Sequence, residues 1–336
     1  MPKKHNTYII GEAGCNHNGS IEKAFRLVDI AKRSKLDAIK FQVFNPDLLV
    51  TKNASKATYA LRNTSKKESQ YTMQKKISLT NEDYYKIKRY SDKKKIDFVC
   101  SAFDLESIDF LNKINLQTFK IPSGEINNIP YLRKIAKLNT KVILSTGMSN
   151  MDEITFAFKI FKSQFSKKKL SILHCISSYP TKDEEVNLLS IPYLKKIFNC
   201  AIGFSDHTTS KLIPALAVSN GASIIEKHFT INKKLKGPDH FMSLNEKQLS
   251  AMVCNIRIAE KSMGRYGKFI SENEKKNIKH ARKSIFANEF ISKGSMFTDN
   301  NLIIKRPAIG ISPTYYEKLI GKKAIKNFKK DEKIIC

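Results

Sequence analysis

Residues 201–230, AIGFSDHTTSKLIPALAVSNGASIIEKHFT, decide how the chain is read. Two short apolar runs, Ala201 to Ser205 and Ser223 to His228, flank a stretch of helical pattern, and both run out into polar residues, Ser205-Asp206-His207 and Glu226-Lys227-His228. Strand, crossover helix and second strand make the repeating unit of a parallel sheet. The same unit recurs upstream. Strands are predicted over Tyr8 to Ala13, Ala38 to Val43, Asp97 to Ser101, Thr118 to Ile121, Val142 to Ser145 and Ser171 to Cys175. Helical patterns follow, among them Ile21 to Ser34, Asn81 to Lys94, Asp152 to Phe165 and Asn245 to Lys261. Eight β/α units ending near residue 262 match a (β/α)8 TIM barrel, typically about 250 residues long. A doubly wound open sheet is the runner-up, but no G-x-G-x-x-G turn follows the first strand.

Past the barrel, assigned to residues 1–263, the apolar signal fades into SENEKKNIKHARKS. Residues 264–283 are read as a linker, and 284–336 as a small β-rich domain with strand-like runs at Ser284 to Ala287 and Leu302 to Arg306.

Composition removes several classes of function. With 41% hydrophobic and 27% charged residues the 336-residue chain is neither disordered nor low in complexity. No run approaches the roughly 18–20 apolar residues of a membrane span, and the start MPKKHNTYIIGE has no apolar signal region, so no membrane partner and a cytoplasmic location are expected. The six cysteines form no C-x-x-C pair, which argues for reduced thiols over a zinc cluster or a disulfide framework. Sixty Lys and Arg against 31 Asp and Glu give +29, the balance of a nucleic-acid binder. Only nine of those cations are Arg, the residue that clamps phosphates and reads bases, and the lysines spread from end to end, as at Lys93 to Lys95 and Lys167 to Lys169. No nucleic-acid partner is therefore expected; the charge instead draws anionic substrates.

In a TIM barrel the C-terminal ends of the strands form the active-site mouth. Here those ends carry Glu12, Lys40, Gln42, Ser101, Lys120, Ser123, Ser145, Thr146, His174, Cys175, Ser205, Asp206, His207, Glu226 and His228. Singly, each has an ordinary explanation: Lys40 could snorkel, His174 could be a satisfied core histidine, and Ser145-Thr146-Gly147 could cap a helix. Jointly they put a hydroxyl, cation, carboxylate or imidazole at every strand end, all expected to face one mouth. Two lysines among hydroxyls and glycine turns suit a small phosphorylated anion. His207 and His228, ending adjacent strands, suit one divalent metal with Glu12 or water completing its shell. Such an open set favours a Lewis acid such as Mn2+, Mg2+ or Fe2+ over structural zinc.

The segments GEAGCNHNGS (11–20), IKFQ (39–42), FKIPSGE (119–125), ILSTGM (143–148), HC (174–175) followed by YPT (179–181), GFSDHT (203–208), EKHFT (226–230) and GPDH (237–240) resemble, in this order, the sialic acid synthase family. IKRPAIGIS (304–312) and LIGKKA (319–324) resemble the antifreeze-like (SAF) domain fused to such synthases. The resemblance covers essentially the whole chain. It implies condensation of phosphoenolpyruvate with an N-acylated hexosamine, chiefly N-acetylmannosamine, to a nine-carbon 2-keto acid by C–O cleavage. It also implies a divalent metal at His207 and His228, Mn2+ foremost with Mg2+ or Co2+ as alternatives, and Glu12 as a proton carrier. Lys40, Ser101, Lys120, Ser123, Ser145 and Ser205 would hold phosphoenolpyruvate, while Gln42, Tyr179 and Asp239 would position the sugar. Arg306 would reach the sugar's N-acyl group in the other subunit of a domain-swapped homodimer. Legionaminic acid synthases, which take a 2,4-diacetamido-2,4,6-trideoxy sugar, are suited almost as well by FDLESIDFLN (103–112) and GPDH; pseudaminic acid synthases fit less well. From another class, a basic nucleic-acid- or partner-binding barrel is the remote alternative.

Overall fold

The alternation of apolar runs with helical stretches produces eight parallel strands: β1 (Tyr8–Gly14), β2 (Ala38–Val43), β3 (Asp97–Ala102), β4 (Thr118–Ile121), β5 (Lys141–Ser145), β6 (Leu170–Cys175), β7 (Ala201–Asp206) and β8 (Ile224–His228). They pair in chain order and β1 also pairs with β8, so the sheet closes into the TIM barrel expected from the sequence. The computed structural model describes residues 7–138, 140–162 and 169–336. Expectations that fall on residues 1–6, on 163–165 at the end of one predicted helix, and on 167–168 lie outside the described residues.

The two-residue period of a strand decides what the barrel contains. One set of positions supplies an apolar floor inside the barrel, made by Ile10, Ala38, Val99, Ile143, Leu173 and Ile224. The intervening set, including Ile9, Phe41, Phe119, Leu144, Phe204 and Ile225, is buried in the larger cluster shared with the surrounding helices. Two residues further along the inward set, the strands change chemistry: Ile10 is followed by Glu12, Ala38 by Lys40, Val99 by Ser101, Ile143 by Ser145, Leu173 by Cys175 and Ile224 by Glu226. Polar groups thus form a layer over an apolar floor.

Side chains cap several helix starts. Ser20 accepts from Lys23 N at the head of Ile21–Arg33, and capping boxes open Asn81–Lys93 (Thr80 with Asp83) and Glu246–Met263 (Asn245 with Gln248). The predicted helix Asp152 to Phe165 is observed over Met151–Lys162. Between β2 and β3 runs a longer excursion, with a helix at Gln70–Ile77 capped by Ser69.

The chain divides into two compact units, Met1–Gly264 and Arg265–Cys336. In the second, β9 (Ser284–Ala287) and β10 (Leu302–Lys305) pair antiparallel over a cluster that includes Ile285, Phe297, Leu302 and Phe328. The stretch read as a linker contains a helix, Glu272–Ala281, because SENE supplies a capping box in which Ser271 and Glu274 satisfy each other's backbone N–H. The Ala308 N–H donates to the Lys279 carbonyl and Arg306 Nε to Ala281 O, so this helix belongs to the second unit. Among the described residues no helix is long and apolar enough to cross a membrane.

Candidate active site

Register places the polar layer. Glu12 lies opposite Lys40 on one side and His228 on the other, Gln42 opposite Ser101, and Ser205 opposite Glu226. Above them opens a cavity of about 720 Å³.

At its base stand two carboxylates and two ammonium groups, all buried. Glu226 Oε1 lies 3.3 Å from Lys120 Nζ and accepts from Ser205 Oγ at 2.9 Å, while Oε2 is 3.5 Å from Lys40 Nζ. Lys40 also lies 3.3 Å from Glu12 Oε2 and 3.5 Å from Ser101 Oγ. Gln42 Nε2 donates to Glu12 Oε1 at 2.7 Å. Burial alone would favour the neutral form of both acids. For Glu226 the two lysines and Ser205 outweigh burial and hold the pKa down at about 2. For Glu12 burial prevails against Lys40, and the neighbouring Glu226 charge adds to it, so the carboxyl is pushed up from the ordinary range. Two similar side chains are thereby split into a permanent anion and an acid able to carry a proton.

On another wall Ser123 Oγ accepts from Gly147 N–H at 2.9 Å, with Cys175 Sγ 3.8 Å away. A Cβ at position 147 would run into Ser177 Oγ and lie 2.9 Å from Ser123 Oγ, so this turn admits only glycine without a shift. Gly14, at φ +52°, bends the end of β1; a Cβ there would be strained and would lie 3.2 Å from Glu12 Oε1.

The imidazoles of His207 and His228 are 5.4 Å apart between centroids. His207 Nδ1 donates to Ile176 O at 2.7 Å, which fixes the ring and leaves Nε2 as its other face. Burial opposes a charge on His207, but Cys175, 3.8 Å away, and the Ile176 carbonyl outweigh it and its pKa rises. Burial, followed by His207 and Lys40, pushes His228 well below the ordinary histidine value, so this ring is neutral. Its Nδ1 sits 3.8 Å from Asp239 Oδ2. Tyr179 packs against His207 at 4.2 Å and stacks on Tyr59 at 4.8 Å. Among the described residues no group of three or more His, Cys, Asp or Glu could hold a metal ion; the mouth offers two imidazoles and room for ligands supplied by a substrate or water.

Buried polar groups are normally hydrogen-bonded. Among the described residues eight buried side-chain N or O atoms have no such partner, and six of them belong to residues lining this cavity: Glu12, Gln70, Gln74, Ser145, Glu226 and His228. Orphan atoms concentrated in one cavity mark the place where a ligand supplies the missing partners.

Of the residues singled out from the sequence, Glu12, Lys40, Gln42, Lys120, Ser123, Ser145, Tyr179, Ser205, His207, His228 and Asp239 line the cavity. Ser101 is fully buried beside Lys40. Arg306 lies in the second unit. The expectation that every strand-end polar group faces the mouth does not hold. His174 turns outward, donating through Nε2 to Val186 O at 2.8 Å and stacking on Phe204. Asp206 forms a buried pair with Lys227 at 2.5 Å on the outer face. Both sit one residue out of step with the inward set, and the two-residue period turns them away. Glu226 was given no role from the sequence, although it precedes His228 by two residues on one strand and therefore shares its face.

A model of the NeuB family matches residues 27–268, and one of the SAF domain matches 282–334. The chain belongs to the NeuB family. It is an enzyme, a nonulosonic acid synthase of that family with a SAF domain. NeuB-family relatives include an N,N'-diacetyllegionaminic acid synthase of Campylobacter jejuni, 45% identical over 329 residues that cover 98% of each chain. One of the same name from Legionella pneumophila is 39% identical over 323 residues, 95% of this chain and 91% of that one. The crystal structure of the N-acetylneuraminic acid (sialic acid) synthetase of Leptospira borgpetersenii is 34% identical with a TM-score of 0.72, covering 82% of this chain and 91% of that one.

Proposed function

We propose that this NeuB-family enzyme condenses phosphoenolpyruvate with 2,4-diacetamido-2,4,6-trideoxymannose, giving N,N'-diacetyllegionaminic acid and phosphate. The sialic acid reading favoured from the sequence yields to the reading held there as its alternative. Relatives named legionaminic acid synthases are 45% and 39% identical, against 34% for the sialic acid synthetase.

The observation that carries the chemistry is the set of buried polar atoms without a hydrogen-bond partner around two lysines and two imidazoles in one cavity. Lys40 and Lys120, with Ser101, Ser123, Ser145 and Ser205, would hold the phosphate and carboxylate of phosphoenolpyruvate. Ammonium groups neutralise such an anion while hydroxyls saturate its oxygens. Gln42, Tyr179 and Asp239 would orient the open-chain sugar. The C3 carbon of phosphoenolpyruvate attacks the aldehyde carbon, forming the C–C bond, and the aldehyde oxygen takes a proton. Glu12, whose carboxyl is pushed up by burial, supplies that proton. Water then adds to C2 and returns a proton to Glu12, and the tetrahedral intermediate breaks its C2–O bond to release phosphate and leave the 2-keto acid.

His207 and His228 would hold a divalent metal, Mn2+ first with Mg2+ or Co2+ as substitutes, whose chemistry when bound is Lewis-acid polarisation of the aldehyde carbonyl. The residues fit that group: His228 has a buried Nδ1 that makes no hydrogen bond, and the Ile176 carbonyl orients His207. Arg306, by the same reading, completes the sugar site of a neighbouring subunit in a homodimer.

The test is to offer phosphoenolpyruvate and Mn2+ with each sugar in turn and identify the product by mass. Product from the diacetamido sugar supports the reading, and product from N-acetylmannosamine alone refutes it.

A further inference from the structure

We propose that Gln70 and Gln74 read the second acetamido group of the acceptor sugar, and so set which acylated sugar the enzyme accepts. The inference rests on the functional reading above and names residues to which that reading gives no part.

The helix Gln70–Ile77 presents positions 70, 73, 74 and 77 to the cavity, and all four side chains line it. This is the i, i+3, i+4, i+7 stripe that a helix ordinarily fills with apolar residues where it packs inward. Met73 and Ile77 obey that rule and are buried. Gln70 and Gln74 break it. Each Oε1 is buried and accepts no hydrogen bond, which is costly because a buried acceptor has given up water and gained nothing in return. The rest of the helix shows no such defect: Ser69 caps its start through Thr72 N–H, and the Ser78 N–H closes its end on Gln74 O. Two unfilled acceptors on an otherwise satisfied helix mark a surface shaped for a ligand.

The ligand's chemistry follows from the stripe. An amide oxygen accepts, so the ligand must donate N–H or O–H. Phosphoenolpyruvate is an anion without N–H donors, and carbonyl oxygens would repel its phosphate; its counter-charges, Lys40 and Lys120, stand at the base of the barrel. The other substrate is left to this wall. Between and beside the two amides lie Met73 and Ile77, with Phe103 also lining the cavity, so the donor must be attached to apolar substance. A second acetamido group has that composition, an N–H and a methyl, and a 6-deoxy carbon adds a further methyl. N-acetylmannosamine offers hydroxyls at those carbons; they donate hydrogen bonds but leave the apolar surface facing polar groups.

The test is steady-state kinetics of Gln70→Leu and Gln74→Leu with both sugars. Gln70→Met and Gln74→Met keep side-chain length and give the same readout should a leucine variant fail to fold. Each change should lower kcat/KM for the diacetamido sugar by about tenfold or more while the KM for phosphoenolpyruvate stays within about twofold, because the lost acceptor leaves a sugar N–H unpaired. The preference between the two sugars should shift by a similar factor toward N-acetylmannosamine. Equal losses on both sugars, or no loss on either, would overturn the inference while leaving the legionaminic reading in place. A wild-type enzyme that turns over N-acetylmannosamine alone would overturn both.

Discussion

The Glu226 carboxylate stands 3.3 Å from the Lys120 ammonium at the base of the cavity, where both side chains are buried. With Lys40 at 3.5 Å, Glu226 keeps two cations close together in the absence of an anionic substrate. Removing one partner of a buried ion pair commonly costs about 3–5 kcal/mol, because the remaining charges lose their counter-charge. Glu226→Gln should therefore lower the melting temperature by several degrees. Phosphoenolpyruvate should restore more of that loss in the variant than it adds to the wild type, since its own negative charge takes over the role. Equal phosphoenolpyruvate shifts in thermal melts of the two proteins would show that the lysines do not hold the anion.

Glu12 owes its raised pKa chiefly to burial, and Gln42 holds it in place at 2.7 Å. Glu12→Gln keeps the shape and removes the transferable proton. Turnover should fall by about 10²-fold or more with phosphoenolpyruvate affinity little changed, as befits a group that acts in proton transfer. Calorimetry showing that binding collapses instead would make Glu12 an anchoring residue.

Replacing His207 or His228 by Ala removes one of two imidazoles and leaves only oxygen ligands and water beside the other. Divalent-metal affinity, measured by calorimetric titration of Mn2+ into the chelator-stripped protein, should weaken by at least 10- to 100-fold. Undiminished Mn2+ binding in both variants would place the metal elsewhere.

Much of this site was legible because a strand writes its two faces alternately. Counting back in twos from His228 gives Glu226 and Ile224, and from His207 gives Ser205 and Gly203, so the inward face could be read from the sequence alone. The same count excludes Asp206, which pairs with Lys227 on the outer face. The barrel was legible from short apolar runs alternating with helical stretches, since eight such units leave few other closures. Gln70 and Gln74 were not legible. They lie in the excursion between β2 and β3, where the eight-residue stretch QYTMQKKI carries only a weak apolar stripe. Their importance rests on which atoms lack partners, a property of packing. The helix Glu272–Ala281 was legible in principle from SENE, but its charged composition masked that signal.

The loop after β1 predicts an acid limit to stability. His17 is buried, its Nδ1 accepts from Gly19 N–H at 3.2 Å, and burial pushes its pKa down to about 4. An unfolded-state histidine titrates near 6.5. Between these values the unfolded chain binds a proton that the folded chain refuses, so stability falls as pH drops from about 6.5 toward 4 and levels off below. The full effect is about 3 kcal/mol at most. Urea unfolding from pH 7 to 4.5 should show this decline, to which the buried His240, His228 and His174 add in the same direction. His17→Gln should make it shallower, and an unchanged slope in the variant would assign the decline to those other groups.

Arg306 is proposed to serve the sugar site of a neighbouring subunit, and subunit mixing decides it. The second unit, Arg265–Cys336, rests on a cluster of nine buried hydrophobic residues, a small core that gains by docking against another surface. Arg306 Nε donates to Ala281 O at 2.9 Å, which steadies the stem of the side chain within that unit. The guanidinium is the right group for an acyl carbonyl, since it can donate several hydrogen bonds from one planar fork. Arg306→Ala should accordingly raise the sugar KM or lower turnover, with phosphoenolpyruvate affinity nearly intact. In a homodimer that shares its sites across subunits, Arg306→Ala chains mixed with Glu12→Ala chains form heterodimers in which one of the two mouths has both native residues. Random exchange should then restore about a quarter of wild-type activity, as half the dimers are mixed and half their sites are intact. Were each mouth served by its own chain's Arg306, no mixture would contain an intact site. Activity that stays at the level of the separate variants after verified exchange refutes the shared site.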